Sequence, residues 1–184
     1  MEMLYVLPDK KAMSENTIYT IGHSTRSIES FLEMLKSFNI KTLVDVRHFP
    51  GSRKFPHFNK EALSASLAAE SIRYEHIESL GGRRKPLADS PNTAWRHTAF
   101  RGYADHMESE EFKQGIERLK RLALNAPTAF MCSEAVWWRC HRSLISDLLK
   151  SEGWNVQHIM EVGTSKEHPY TAPAKIMEGR LSYH

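Results

Sequence analysis

A three-layer α/β domain is the fold class that the sequence predicts: a mostly parallel sheet of about five strands with helices on both faces, in a Rossmann-like arrangement. Three observations predict it. Short β-rich runs alternate with segments whose apolar residues recur at helical spacing. The alternation recurs along the chain, which implies right-handed crossovers and parallel pairing. The chain has 184 residues, 41% of them hydrophobic, which suits one domain with a real core.

The elements follow in order. Residues 1–16 are polar and lack a clear period, and read as an N-terminal extension with a short strand around Leu4 to Leu7. The single domain then spans 17–184, opening with a β-rich run from Thr17 to Ile21 that Gly22 breaks. Ile28, Phe31, Leu32, Leu35 and Phe38 recur at helical spacing behind Ser27, a natural N-cap, and Asn39 suits the stop. Ile40 to Val46 reads as a buried strand with Asp45 as its odd charge. Asn59 can cap a helix reaching about Glu70, and Ile72 to Ile77 is β-like. Glu78 to about Ala99 carries glycines, prolines and arginines and reads as an irregular excursion. Phe112 to Leu124 is strongly amphipathic, Thr128 to Met131 is a short strand, Trp138 to Lys150 reads as a helix, and Trp154 to Met160 as a last strand. The tail, Glu161 to His184, lacks periodicity and is expected to wrap the surface.

Composition narrows the classes of function. No apolar run approaches the roughly 20 residues of a membrane span, and the first residues lack the basic-then-apolar order of a signal peptide. With two cysteines, Cys132 and Cys140, and no export signal, a reducing cytoplasm is the expected location. The formal net charge of +3 permits nucleic acid or an anionic small molecule as partner without demanding either. Nothing in the composition calls for a membrane, names a cofactor or reads out an oligomeric state.

In open parallel sheets, ligands bind beyond the carboxyl ends of the strands. After the first strand come Gly22, His23, Ser24, Thr25 and Arg26; after the second, Arg47, His48, Pro50, Ser52 and Arg53 follow Asp45. After the third come Gly81, Gly82, Arg83 and Arg84; after the fourth, Cys132, Ser133 and Glu134 lead to Cys140, His141 and Arg142. Every strand thus ends in polar, reactive or arginine-bearing sequence on one edge, which marks a site.

These same residues carry a family likeness. Gly22-His23-Ser24, Val44-Asp45-Val46-Arg47 with Pro50, Ser52 and Arg53, Leu80-Gly81-Gly82, and Cys132-Ser133-Glu134 through Cys140-His141-Arg142 resemble the signature of the "domain of unknown function 488" family. The likeness runs from about Ile18 onward in the same order. It implies a bacterial or archaeal α/β protein without an agreed reaction. Val136, Trp137 and Trp138 are bulkier than the acidic, proline-containing spacer associated with many members.

Each candidate has a functional and a bland reading. Cys140, read at a helix start beside Arg139 and Arg142, could be a stabilised thiolate or a small buried hydrophobe. Cys132 could pair with it or serve the core. A metal is not expected, because the spacing matches no standard ligand pattern and Cys140 and His141, adjacent on a helix, would point apart. Val44-Asp45-Val46-Arg47 faintly resembles rhodanese-like domains. A loop of that kind closes on a basic residue, whereas Trp137 and Trp138, or Ile145 and Ser146, stand at the closing positions here. Arginines at 47, 53, 83 and 142, with Ser24, Gly81, Gly82 and His141, form the expected anion-holding set. His23 and Glu134 are proton-transfer candidates; Asp45 reads as a general base or, preferably, an organiser. Basic and aromatic residues interleave from Arg47 to Lys60, as in grooves for single-stranded nucleic acid. The residues thus point to an enzyme acting on a nucleotide or nucleic-acid-related substrate through Cys140 with His23 or Glu134. The alternatives are a non-catalytic nucleic-acid-binding module and a metal or redox thiol protein.

Overall fold

The computed structural model describes residues 16–184, so the strand expected near Leu4 to Leu7 lies outside it. In chain order the elements are β1 (Thr17–Gly22), α1 (Ile28–Ser37), β2 (Thr42–Asp45), α2 (Lys60–Ala69), β3 (Arg73–His76), α3 (Thr98–His106) and α4 (Glu110–Asn125). They continue with β4 (Thr128–Cys132), α5 (Arg142–Ser151), β5 (Asn155–Glu161), β6 (Thr164–Glu167), and a hairpin of β7 (Lys175–Met177) and β8 (Arg180–Ser182). Five parallel strands and antiparallel β6 form one sheet in the order β3-β2-β4-β1-β5-β6.

Local signals set the helix ends. Ser27 caps α1 by accepting from the Ser30 N–H at 3.2 Å, and Asn39 leaves the helix with φ +54°. Ser109 likewise caps α4. Asn59 stands at the N-cap of α2, but its side chain accepts from the Ser52 N–H instead.

The sheet separates two apolar layers. On one face Ile21, Leu43 and Met131 meet Phe31 and Leu35 of α1 and Leu63 and Leu67 of α2. On the other, Ile18, Val44 and Phe130 meet Tyr103 of α3, Phe112 and Ile116 of α4, and Leu144 and Leu149 of α5. Full burial of such a side chain contributes about 1.5–3 kcal/mol. The chain therefore winds outward along one face from β1 to β3 and returns along the other through β4 to β5. The connections after β1 and β2 leave toward the first face, and that after β4 toward the second. Their divergence opens a crevice at the carboxyl ends of the central strands. Register levels those ends: Gly22 lies opposite Cys132, Asp45 opposite Met131, and His76 opposite Asp45.

Two sequence expectations are corrected, and one helix was not expected: Thr98–His106 begins where the irregular excursion ends. Helix α5 starts at Arg142, not Trp138: Trp137–Arg139 form a 3-10 turn, and Cys140 is extended at φ −133° and ψ 149°. The tail is structured, adding β6 to the sheet and the hairpin beyond it, and it buries His168 and Tyr183. Both outer strands carry charge: Glu75 on β3 pairs with Arg73 and Arg118, and Glu167 on β6 with Lys150 at 2.8 Å.

Candidate functional site

At the carboxyl ends of the strands lies a cleft of about 1120 Å³. Its floor carries both cysteines. Cys132 ends β4, Cys140 stands in the extended bend before α5, and both thiols are free and buried. The bend turns the side chains of Cys140 and His141 toward each other, overturning the expectation that a helix would splay them. Cys140 Sγ lies 3.6 Å from His141 Nδ1, and ligating atoms of Cys132, Cys140 and His141 all fall within 4.8 Å of one another. His141 Nε2 donates to the Val46 carbonyl at 3.0 Å, so Nδ1 presents its lone pair to the sulfurs.

The two thiols differ. Burial raises the Cys140 pKa, but the Cys132 thiol, the Arg142 charge and the Arg142 backbone N–H outweigh it and bring the value down to about 6. Cys132 is pushed up to about 12, first by its hydrogen bond to Cys140 and then by burial. The shifts run in opposite directions, Cys140 toward the thiolate and Cys132 toward the thiol.

Arg142 lies beneath this floor and not in the cleft, 1% exposed. It donates to Thr20 Oγ1 at 2.6 Å and to the Glu134 carbonyl at 2.7 Å, while its Nε has no hydrogen-bond partner among the described residues. A buried cation with neutral oxygen partners favours negative charge nearby, and Arg142 is among the causes that lower the Cys140 pKa. The sequence grouped Arg142 with substrate-holding residues; the fold places it behind Cys140, out of reach of the cleft.

Beyond Arg142 runs a buried polar chain that sequence reasoning missed. Thr20 Oγ1 meets His158 Nδ1 at 3.2 Å, His158 Nε2 meets His168 Nδ1 at 2.9 Å, and His168 Nε2 donates to Asp147 Oδ1 at 2.9 Å. The directions close in one sense: Arg142 donates to Thr20, Thr20 to His158, His158 to His168 and His168 to Asp147. Asp147 also accepts from the Thr171 N–H and hydroxyl and the Tyr183 hydroxyl. Burial above all, with the Arg142 charge adding to it, depresses the His158 pKa to about 2 and keeps that ring neutral. Trp137 stacks on it with centroids 4.5 Å apart. One signal existed in the sequence: Arg142, Ser143, Ser146 and Asp147 make a polar stripe on an otherwise apolar helix, and all four are buried.

Asp45 and Arg47 form a second fixed unit. Arg47 Nε and Nη2 grip the carboxylate at 2.9 and 2.6 Å, Tyr74 donates to it at 2.8 Å, and the Arg47 N–H adds a bond at 3.0 Å. Both carboxylate oxygens are committed, which gives Asp45 the contacts of an organiser. Arg47 also donates to the Phe58 carbonyl, at 2.8 Å, and approaches His23 Nε2 at 3.4 Å. His23 donates from Nδ1 to the Ser24 carbonyl and stacks on Phe58. Burial lowers its pKa to about 4, the Ser24 carbonyl opposing and Arg47 assisting. His23 is thus a neutral ring at the cleft wall, with Nε2 turned toward Arg47.

The loops above are joined. The His23 and Ser24 N–H groups donate to the carbonyls of Cys132 and Ser133 at 3.1 and 2.9 Å. A Cβ at Gly22 would lie 1.8 Å from the Glu134 carbonyl oxygen, so only glycine fits. Ser24 and Arg83 line the cleft in the left-handed region, at φ +50° and +62°, a strain typical of functional loops. Gly82 faces His141, and the exposed side chain of Glu134 sits on the rim. Gly81 is buried against His48 and Arg53 is exposed; neither lines the cleft. Lys54, Arg139 and Trp138 also line it; of these only Arg139 stood out in the sequence, as a neighbour of Cys140.

Comparison with known proteins completes the description. The family model described as "Domain of unknown function DUF488" matches residues 27–149, from the start of α1 almost to the end of α5. No curated protein and no solved structure matches the chain. The match leaves out Gly22, His23 and Ser24 on one side and His158 and His168 on the other.

Proposed function

The chain belongs to the domain of unknown function DUF488 family, and from that premise we propose that it is an enzyme acting on an anionic, ring-bearing substrate, a nucleotide or nucleic-acid component. The Cys132, Cys140 and His141 cluster is its reaction centre. One observation carries the reading: two buried cysteines and an imidazole lie at the floor of a cleft whose rim pairs cations with aromatic rings. Arg83 lies over Phe49 at 5.8 Å and Lys54 over Phe55 at 5.5 Å, with Arg139 and Trp138 opposite. Phe49 and Trp138 are 62% and 51% exposed, so both rings are open to a ligand. Exposed rings stack bases and neighbouring cations take phosphates. His23 and the Glu134 carboxylate are the cleft groups able to move a proton.

The test is turnover and binding across a panel of nucleotides and short oligonucleotides. Cys140→Ser should abolish turnover with the circular dichroism spectrum intact, and Arg83→Ala should weaken binding and lessen its salt dependence. Full activity in Cys140→Ser would remove the cluster from the chemistry. Steep, salt-dependent binding unaffected by Cys140→Ser, with no turnover of any panel member, would favour a non-catalytic nucleic-acid-binding module, which the same rim supports.

A further inference from the structure

We infer that Cys132, Cys140 and His141 bind a single zinc-class cation whose fourth coordination position opens into the cleft. The inference rests on the reading of the cleft floor as reaction centre and names what that centre holds. Zinc bonds of roughly 2.3 Å to sulfur and 2.0 Å to nitrogen, at tetrahedral angles, separate a sulfur and a nitrogen ligand by roughly 3.5 Å. Cys140 Sγ and His141 Nδ1 stand 3.6 Å apart, already on that edge, and Cys132 Sγ completes a triangle within 4.8 Å. The tautomer fits as well. His141 gives its Nε2 proton to the Val46 carbonyl, the outer contact by which ligating histidines are oriented, and leaves Nδ1 free for the ion.

Charge and space agree. Two thiolates cancel a divalent charge, and the buried Arg142 Nε, without a partner among the described residues, can donate to a bound sulfur. All three ligands line the cleft, so the remaining position faces incoming substrate, as in catalytic zinc sites with three protein ligands. Gly82 keeps the approach clear: a Cβ there would lie 2.9 Å from His141 Nδ1.

The experiment uses the full chain purified without chelator. Elemental analysis should give one zinc per chain. After chelation, titration with cobalt(II) should saturate at one equivalent, with thiolate-to-cobalt charge transfer and the visible bands of a four-coordinate ion. Cys132→Ser, Cys140→Ser and His141→Ala should each weaken cobalt binding more than about 100-fold, and Gly82→Ala about 10- to 100-fold, while Ser133→Ala should match the parent. Circular dichroism checks each fold, and Gly82→Ala leaves every ligand in place should a ligand variant unfold. Zinc far below stoichiometry without a cobalt–thiolate band overturns the inference, as does a band that survives loss of His141 in a folded variant. If zinc is absent while Cys140→Ser still abolishes turnover, the inference falls and the proposed function stands. If zinc is bound but no panel member binds or turns over, the metal site stands and the proposed function falls.

Discussion

Asp147→Asn isolates the buried chain behind the site. The carboxylate is fully buried and accepts from His168 Nε2 at 2.9 Å, the Thr171 N–H at 2.9 Å, the Thr171 hydroxyl and the Tyr183 hydroxyl at 2.8 Å. His168 Nε2 and the Thr171 N–H share Oδ1, which the amide oxygen of asparagine can replace, while its NH2 group takes the place of Oδ2 and forces the Thr171 and Tyr183 hydroxyls to turn from donating to accepting. Removing the charge leaves the donor chain from Arg142 ending on a neutral group. Breaking a buried charged network costs about 3–5 kcal/mol. In a domain of this size each kcal/mol lowers the melting temperature by about 2–4 °C, so a fall of roughly 6–20 °C is expected. Thermal unfolding followed by circular dichroism measures it, with Asp105→Asn as comparison. Asp105 also accepts from several donors, among them Ser90 and the Leu87 N–H, but lies only partly buried in a loop contact. A fall under about 2 °C for Asp147→Asn would refute the reasoning that this carboxylate anchors the network.

Four further outcomes are expected. Gly22→Ala drives a methyl into the Glu134 carbonyl and should cost about 1–3 kcal/mol, read as a lower urea midpoint with an unchanged m-value; a parental midpoint would count against the close approach. Arg47→Lys keeps the charge but loses the two-pronged grip on Asp45 and should destabilise by about 1.5–3 kcal/mol, again by urea; a loss under about 0.5 kcal/mol would contradict the pairing. His23 and His158 have folded pKa values near 4 and 2, below the ordinary 6.5. The unfolded chain therefore binds more protons below pH 6.5, and stability should fall as pH drops from 6.5 toward 4; urea midpoints that stay level from pH 7 to 5 would oppose this. In metal-free protein, alkylation should map to Cys140 before Cys132, with the rate rising through about pH 6, and equal labelling in peptide mass spectra would speak against a thiolate at Cys140.

Much of the fold was legible because apolar periodicity is a local property. Phe31, Leu35, Phe112 and Ile116 announce their helices by spacing alone and all are buried. Helix α3 was not legible: Gly102 interrupts its pattern, yet the gap lets the backbone at Arg84 and Lys85 pack against it. The start of α5 was misplaced because Trp138 and Ile145 keep helical spacing across a bend that tertiary contacts impose. At the site, the strand-end rule collected residues correctly but could not tell wall from foundation. Arg142 and Arg53 looked alike in sequence, and one is buried while the other is exposed. His158, His168 and Asp147 meet only because β6 folds back on β5 and α5 lies alongside, relations that no short window contains.

The charged outer strands bear on how the molecule behaves in a crowd. A sheet edge is a row of unpaired backbone groups, and an uncharged one recruits other sheets into aggregates. Here Glu75 is held between Arg73 and Arg118 at one margin, and Lys166 and Glu167 border the other. Lining up a second copy strand to strand would force those charges together or strip them of water. Self-association through the sheet is thereby discouraged, and the rim of exposed rings around the cleft is left as the surface where stickiness is tolerated.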